Sequence, residues 1–539
     1  MVRICLWRGM ASISLAMLAA CGGGGGGGGF FPAAALNGNG TTGSGVPGAN
    51  TVTLSGVATF DSIPNTSGGL VYAASSPKPV RGAVVEIVGT ASNVLASTTT
   101  DANGAYSVSV PSSTAITVRV KAQMLQSGTG PGWNVTVRDN TQSNAIYAME
   151  TPSFSTGTAA GTRDIHAPSG WDGSSYAAGR VAAPFAVLDA VFAAQTKVLS
   201  VAPTLVFPPV SVYWSANNVP AEGNPALGQI GTTFFSNENG TLAIYVLGKE
   251  NVDTDEYDSS VVAHEWGHYY QAAFSRDDSP GGNHSLADSL DRRVAFSEGW
   301  GNAWSGIALG RSNYTDSVGV RQAQGSNVDL SAGANPNPGW YREASIQSIF
   351  WNLNGQVGFK PIHDAMISAQ FKGATAVTSI HSFNAAFATA APANSSALMA
   401  LLAAQAISPA TGDPFGTQET NGGGITGAAS TLPLYRSASV GGAPTTACVT
   451  NQAGPDNKLG SYVYLRFTAP TARNYTITTA GPSGSDPDFA VYNGRQIASS
   501  QGFGTSETAT FALPAGESVL VINDFNNSSA ATCINVTIQ

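Results

Sequence analysis

The pentapeptide His264-Glu265-Trp266-Gly267-His268 restricts this chain more than any other segment of it. Two histidines four residues apart share one face only when the backbone between them is helical. Both imidazoles can then reach a single Zn²⁺ at about 2.0 to 2.1 Å. Glu265 falls beside the first of them, where the motif places a general base next to the metal's water. With six His in 539 residues, a chance occurrence of the pattern is on the order of one in several hundred. Val261, Val262, Trp266, Tyr269 and Tyr270 predict a buried helix over Ser259 to Phe274, with Asp258 or Ser259 as its N-cap. Buried imidazoles need partners, and a shared cation supplies one.

A peptidase zinc has three protein ligands and an open position. A metzincin would carry Gly and then His after the second histidine of the motif; this chain has Gln271 and Phe274 there. The apolar, helix-compatible segment Ala295 to Trp304 instead holds one carboxylate, Glu298, whose burial would be costly unless a cation met it.

His264-Glu265-Trp266-Gly267-His268 followed by Glu298-Gly299-Trp300 resembles the fungalysin branch of the thermolysin-like gluzincins, whose second signature is a Glu-Gly-Trp-Ser-Asp helix. The resemblance is confined to the stretch around the two motifs. It implies an α+β zincin-type catalytic domain with one catalytic Zn²⁺, His264, His268 and Glu298 as ligands, and Glu265 as base. The implied activity is hydrolysis of peptide bonds in protein or peptide substrates. The chain departs from the pattern at Asn302, where the family has the Asp that orients a ligand histidine. An amide oxygen still accepts an imidazole N–H, with lower basicity passed to the ligand. Gluzincins also use a His or Tyr to stabilise the oxyanion, and His363 and Tyr341 are the candidates. Leu242 to Leu247 is the expected edge strand for extended substrate. Asp253, Asp255, Glu256 and Asp258 form an acidic run that could take Ca²⁺ but lacks EF-hand spacing; a solvated loop with a helix cap is the plainer reading.

The rest of the chain divides by composition. Residues 1–21 carry Arg3, Arg8, an apolar run and Leu18-Ala19-Ala20-Cys21. This has the form of a secretory signal and resembles a bacterial lipobox, which implies cleavage before Cys21 and acylation of its thiol. Gly22 to Gly29 open a flexible linker over 22–50. Residues 51–150 alternate β-branched and polar residues. Their Thr100-Asp101-Ala102-Asn103-Gly104-Ala105-Tyr106 turn-strand resembles the carboxypeptidase regulatory-like β-sandwich. Residues 151–410 mix strands and helices and form the expected catalytic domain, 411–432 read as a linker, and 433–539 read as a second β-sandwich. That last segment is similar to the pre-peptidase C-terminal domains of secreted proteases. The fold expected is therefore multidomain, an α+β catalytic body between two small β-sandwiches. Cys448 and Cys533, an even pair in an exported chain, predict a disulfide.

A net charge of -9 with no Lys/Arg cluster excludes nucleic acid as a partner, because a phosphate backbone needs a basic face. The apolar fraction of 42% fills real cores, which excludes a disordered chain. Past the signal segment no apolar run reaches about 18 residues, so no transmembrane helix is expected. Localisation at a bacterial cell envelope, lipid-anchored at the outer membrane or cell surface, follows from Cys21. The competing expectation is a surface binding or adhesion lipoprotein that keeps a zinc site without turnover. An exopeptidase would need a group recognising a chain terminus, and the sequence has no motif for one.

Overall fold

Valine and isoleucine alternate with polar residues through Ala83–Gly89 and Ala115–Gln126, and both segments are strands in the computed structural model of the protein. The structure describes residues 50–128, 130–426 and 431–539. The signal segment 1–21, Cys21 and the linker up to residue 49 lie outside the described residues.

These strands belong to a large sheet. From one edge it runs Phe234–Glu238, Thr241–Val246, Val210–Trp214, Trp133–Asp139, Ala115–Gln126, Ala83–Gly89 and Val94–Thr99. Two facts follow. The sheet crosses the boundary expected at 150, because Trp133–Asp139 pairs in parallel with Val210–Trp214, Val135 opposite Val210. Thr51–Ser62 likewise pairs with the later Ile165–Ala167. The expectation of a self-contained sandwich over 51–150 is thus corrected. A strand such as Trp133–Asp139 presents a row of unpaired amides on its free side, and the next part of the chain covers them. The core agrees, since one contiguous cluster runs from Leu54 through Val120, Val212 and Trp300 to Leu459. The second fact is that Thr241–Val246 is not the edge. It is flanked by Phe234–Glu238, antiparallel, Phe235 opposite Ile244. The edge strand expected at Leu242 to Leu247 is therefore Phe234–Glu238.

Helices cover one part of this sheet. They are α1 (Ala183–Leu199), α2 (Ser259–Phe274), α3 (Arg292–Leu309), α4 (Glu343–Val357) and α5 (Phe359–Ile367). The motif helix thus has the bounds its apolar pattern predicts. Its cap does not: the Asp258 carboxylate makes no capping bond and accepts instead from Asn65 Nδ2 at 2.6 Å and Ser317 N at 3.0 Å. Helices α2, α3 and α4 pack through Trp266, Trp300 and Trp304, all almost fully buried. The Trp266 and Trp304 rings stack at 5.5 Å, and Trp300 Nε1 donates to the Gly267 carbonyl at 3.0 Å. Among the described residues no single helix is long and apolar enough to cross a membrane.

Residues 436–538 form two facing sheets of five and four strands around Leu465, Phe467, Tyr475, Phe489 and Ile534, a β-sandwich. Cys448 and Cys533 face each other on paired strands and are bonded. The described part of 411–432 has no regular structure, yet it is not a free linker. Glu419 is buried against His381 at 3.0 Å, and Asn421 accepts from Trp340 Nε1 through its carbonyl at 2.8 Å. Its polar composition suggests solvent, yet Glu419 is drawn inside by His381 and by the amides of Ser408 and Asn421.

Candidate metal centre

The two histidines of α2 point at α3. His264 Nε2 and His268 Nε2 stand 3.1 Å apart, and Glu298 Oε2 lies 3.2 Å from the first and 3.4 Å from the second. Tetrahedral ligands about 2.05 Å from one metal are themselves about 3.3 to 3.4 Å apart. Two imidazole nitrogens and a carboxylate oxygen converging on one point have spare lone pairs and need a cation between them. His264, His268 and Glu298 thus form a group that could hold a metal ion, with all three ligand atoms within 4.8 Å of one another. The helices can approach because α3 has Gly301 at the contact: a Cβ there would sit 2.7 Å from His264 Cε1.

Each ligand is held from behind. His264 Nδ1 donates to Asn302 Oδ1 at 2.9 Å. His268 Nδ1 meets Ser297 Oγ at 3.2 Å, and Ser297 Oγ donates to Asp277 Oδ2 at 2.8 Å. Glu265 is buried beside them, and its Oε2 accepts the amide of Phe235, on the edge strand, at 2.8 Å. Burial pushes the Glu265 carboxyl up, against the pull of His264 and His268. Burial also acts to raise Glu298, but His284 and His268 outweigh it and hold this carboxyl well below its usual range. His268 is pushed up to about 9, because Glu298 overcomes the opposing effect of burial. The cluster therefore attracts positive charge.

Of the remaining expected residues, neither reaches the site. His363 is buried on α5 with its ring against Tyr270, Nδ1 2.8 Å from the tyrosine hydroxyl. Tyr270 packs on Trp300 and Trp304, away from the converging atoms of His264 and Glu298. The Tyr341 hydroxyl is engaged with Asn421 Oδ1 at 3.3 Å. Both lie downstream of Glu298, and chain order does not report which face of a helix a side chain meets.

The site instead holds two residues that the sequence reading passed over. His284 comes from the loop between the motifs. Its Nε2 donates to Glu298 Oε2 at 3.2 Å and its Nδ1 to Glu343 Oε2 at 2.7 Å. Its side chain is 28% exposed, against 8% for His264 and 12% for His268. Tyr314 stands edge-on to His264, ring centroids 6.0 Å apart. The available signal for His284 was its rarity as one of six His on a Gly-Gly-Asn turn between two motifs of one site.

The solvated loop with a helix cap expected of the acidic run is not found, because Asp255, Glu256 and Asp258 are buried and the Asp258 carboxylate makes no capping bond. Asp253 and Asp255 are joined by Asp316, with carboxylate oxygens within 4.8 Å of one another. Glu256 is taken by the buried Arg180, Nη1 donating at 2.8 Å, and Asp258 by Asn65 and Ser317. Burial lifts Asp253 to about 7, Asp258 to about 8 and Asp316 to about 6. A carboxyl whose folded value exceeds its unfolded value binds more protons in the folded state, so stability falls as pH rises from about 4 to about 8. Asp316→Asn removes one such group and its repulsion of the other two. It is expected to be more stable than wild type at pH 8 by roughly 1 to 3 kcal/mol, with little difference at pH 4. Thermal melts across that range in a chelator measure it, and an unchanged pH slope would count against the account.

The chain matches no protein-family profile and no curated protein. Among solved structures it is similar to the pre-peptidase C-terminal domain of collagenase from Bacillus anthracis, at 15% identity over 20% of this chain and 94% of that one, with a TM-score of 0.16. It is also similar to PliG of Aeromonas hydrophila, a periplasmic lysozyme inhibitor, at 17% identity over 20% and 99%, with a TM-score of 0.14. A third is CorA of Methylomicrobium album BG8, a surface-associated copper-binding protein, at 10% identity over 20% and 98%, with a TM-score of 0.16. Likenesses this slight say nothing about the metal centre.

Proposed function

We propose that the chain is a zinc-dependent metalloendopeptidase of the gluzincin kind, with a zincin-type catalytic domain, exported and lipid-anchored through Cys21 at a bacterial cell envelope. The observation that carries the reading is the convergence of His264 Nε2, His268 Nε2 and Glu298 Oε2 with the Glu265 carboxylate fixed beside them. Two nitrogens and one oxygen suit zinc. A divalent cation in that position supplies a Lewis acid that polarises a carbonyl and acidifies a water.

The protein's own groups supply the rest. Glu265 takes a proton from the attacking water and delivers it to the leaving amine; its raised carboxyl suits both transfers. His284 has both ring nitrogens committed, to Glu298 and to Glu343, so it steadies the Glu298 carboxylate rather than an oxyanion. The free side of Phe234–Glu238 offers backbone groups to an extended peptide, and the Phe235 amide ties that strand to the base. A structural site without turnover, as in an adhesin, has no use for a base held in this way.

Metal analysis of the purified protein with casein or peptide hydrolysis tests the reading. About one zinc per chain and hydrolysis lost to a chelator are expected. A protein with bound zinc but no hydrolysis of any casein or peptide would return the chain to the adhesion class.

A further inference from the structure

Asn302 is a weak holder for a metal-ligating imidazole, since a neutral amide polarises the ring less than a carboxylate does. The structure places a carboxylate one step further back. Glu343 is almost fully buried and opens α4, where the helix N-terminus favours negative charge. Its two oxygens serve two arms. Oε1 faces Asn302 Nδ2 at 3.5 Å, and Asn302 Oδ1 accepts from His264 at 2.9 Å. Oε2 accepts from His284 Nδ1 at 2.7 Å, and His284 Nε2 reaches Glu298 Oε2 at 3.2 Å. One buried charge therefore stands behind a nitrogen ligand and behind the oxygen ligand, and the side chains close a ring around the converging atoms. Gly299 seats α4 against α3 closely enough for this: a Cβ there would lie 2.4 Å from Ile346 Cβ.

We infer that Glu343 is a positioning residue of the metal centre, orienting His264 through Asn302 and Glu298 through His284. The inference rests on the metal reading given above. An acid one step removed does the work of an acid in contact, provided that an amide relays it.

Exchanging the two groups tests this. The readouts are the Zn²⁺ dissociation constant from chelator competition and the visible spectrum of the Co²⁺-loaded protein, with melting to establish the fold. Glu343→Gln is expected to weaken binding about 10- to 100-fold. Asn302→Asp alone sets two carboxylates side by side and is also expected to bind less tightly. The double variant N302D/E343Q keeps one acid and one amide in exchanged order and is expected to recover most of the affinity and the Co²⁺ spectrum of wild type. A folded Glu343→Gln protein that binds zinc as wild type does would overturn the inference, as would a folded double variant no better than Glu343→Gln. A wild-type protein that binds no metal would overturn the metal reading itself and this inference with it.

Discussion

A Glu265→Gln protein is expected to keep its zinc and lose hydrolysis by about 10²- to 10⁴-fold in kcat/KM, the usual contribution of a positioned general base. The substitution is nearly isosteric. The glutamine oxygen can still accept the Phe235 amide that Glu265 Oε2 accepts at 2.8 Å, so the edge strand and α2 stay in place. The ligand atoms of His264, His268 and Glu298 are untouched. What disappears is the capacity to carry a proton. Peptide hydrolysis measured beside metal content separates the two effects. Activity within a few fold of wild type would remove Glu265 from the base role, while loss of zinc with activity would show that it acts on the site's structure.

Asp291→Ala is expected to cost about 3 to 5 kcal/mol of stability, the range for removing one partner of a buried ion pair. Asp291 is 4% exposed and caps α3, accepting from Arg293 N at 3.1 Å. It also pairs with Arg293 Nε at 2.8 Å and accepts from the Tyr464 hydroxyl of the C-terminal sandwich. Arg293 is itself buried, so the alanine strands a charge. Around this pair the sandwich grips the part of the chain that carries Glu298 and His284. Asp291 N donates to the Asn457 carbonyl at 2.8 Å and Leu459 N to that of Ser289 at 2.9 Å. Arg292 lies over the Tyr464 ring at 4.1 Å. Asn457 Nδ2 also donates to Gly281 O at 2.9 Å, on the loop that carries His284. Urea unfolding of wild type, Asp291→Ala and Asp291→Asn measures the effect. The asparagine, which keeps a capping oxygen, should lose less. An alanine variant within about 0.5 kcal/mol of wild type would mean that the clamp adds nothing.

Several elements were legible because their information is local. The apolar spacing around the motif predicts α2 to its observed ends, and the lone carboxylate of an apolar helix identifies Glu298. Cys448 and Cys533 pair as their even count suggests. Three other expectations failed for one reason, that strand order and helix facing are not local. Thr241–Val246 reads as an edge strand as readily as an inner one until Phe234–Glu238 is seen beside it. Residues 51–150 look self-contained until their last long strand pairs with Val210–Trp214. His363 follows Glu298 as an oxyanion donor would, yet its ring is engaged with the Tyr270 hydroxyl.

The sequence by itself determined the helix and the facing of His264 and His268 along it, because a period of 3.6 residues places i and i+4 on one face whatever surrounds them. Only the tertiary structure decided that His284 meets both Glu343, 59 residues away, and Glu298. Such a meeting depends on how a loop and a helix N-terminus pack against α3, and that packing is set by contacts between distant segments, which no periodicity along the chain encodes.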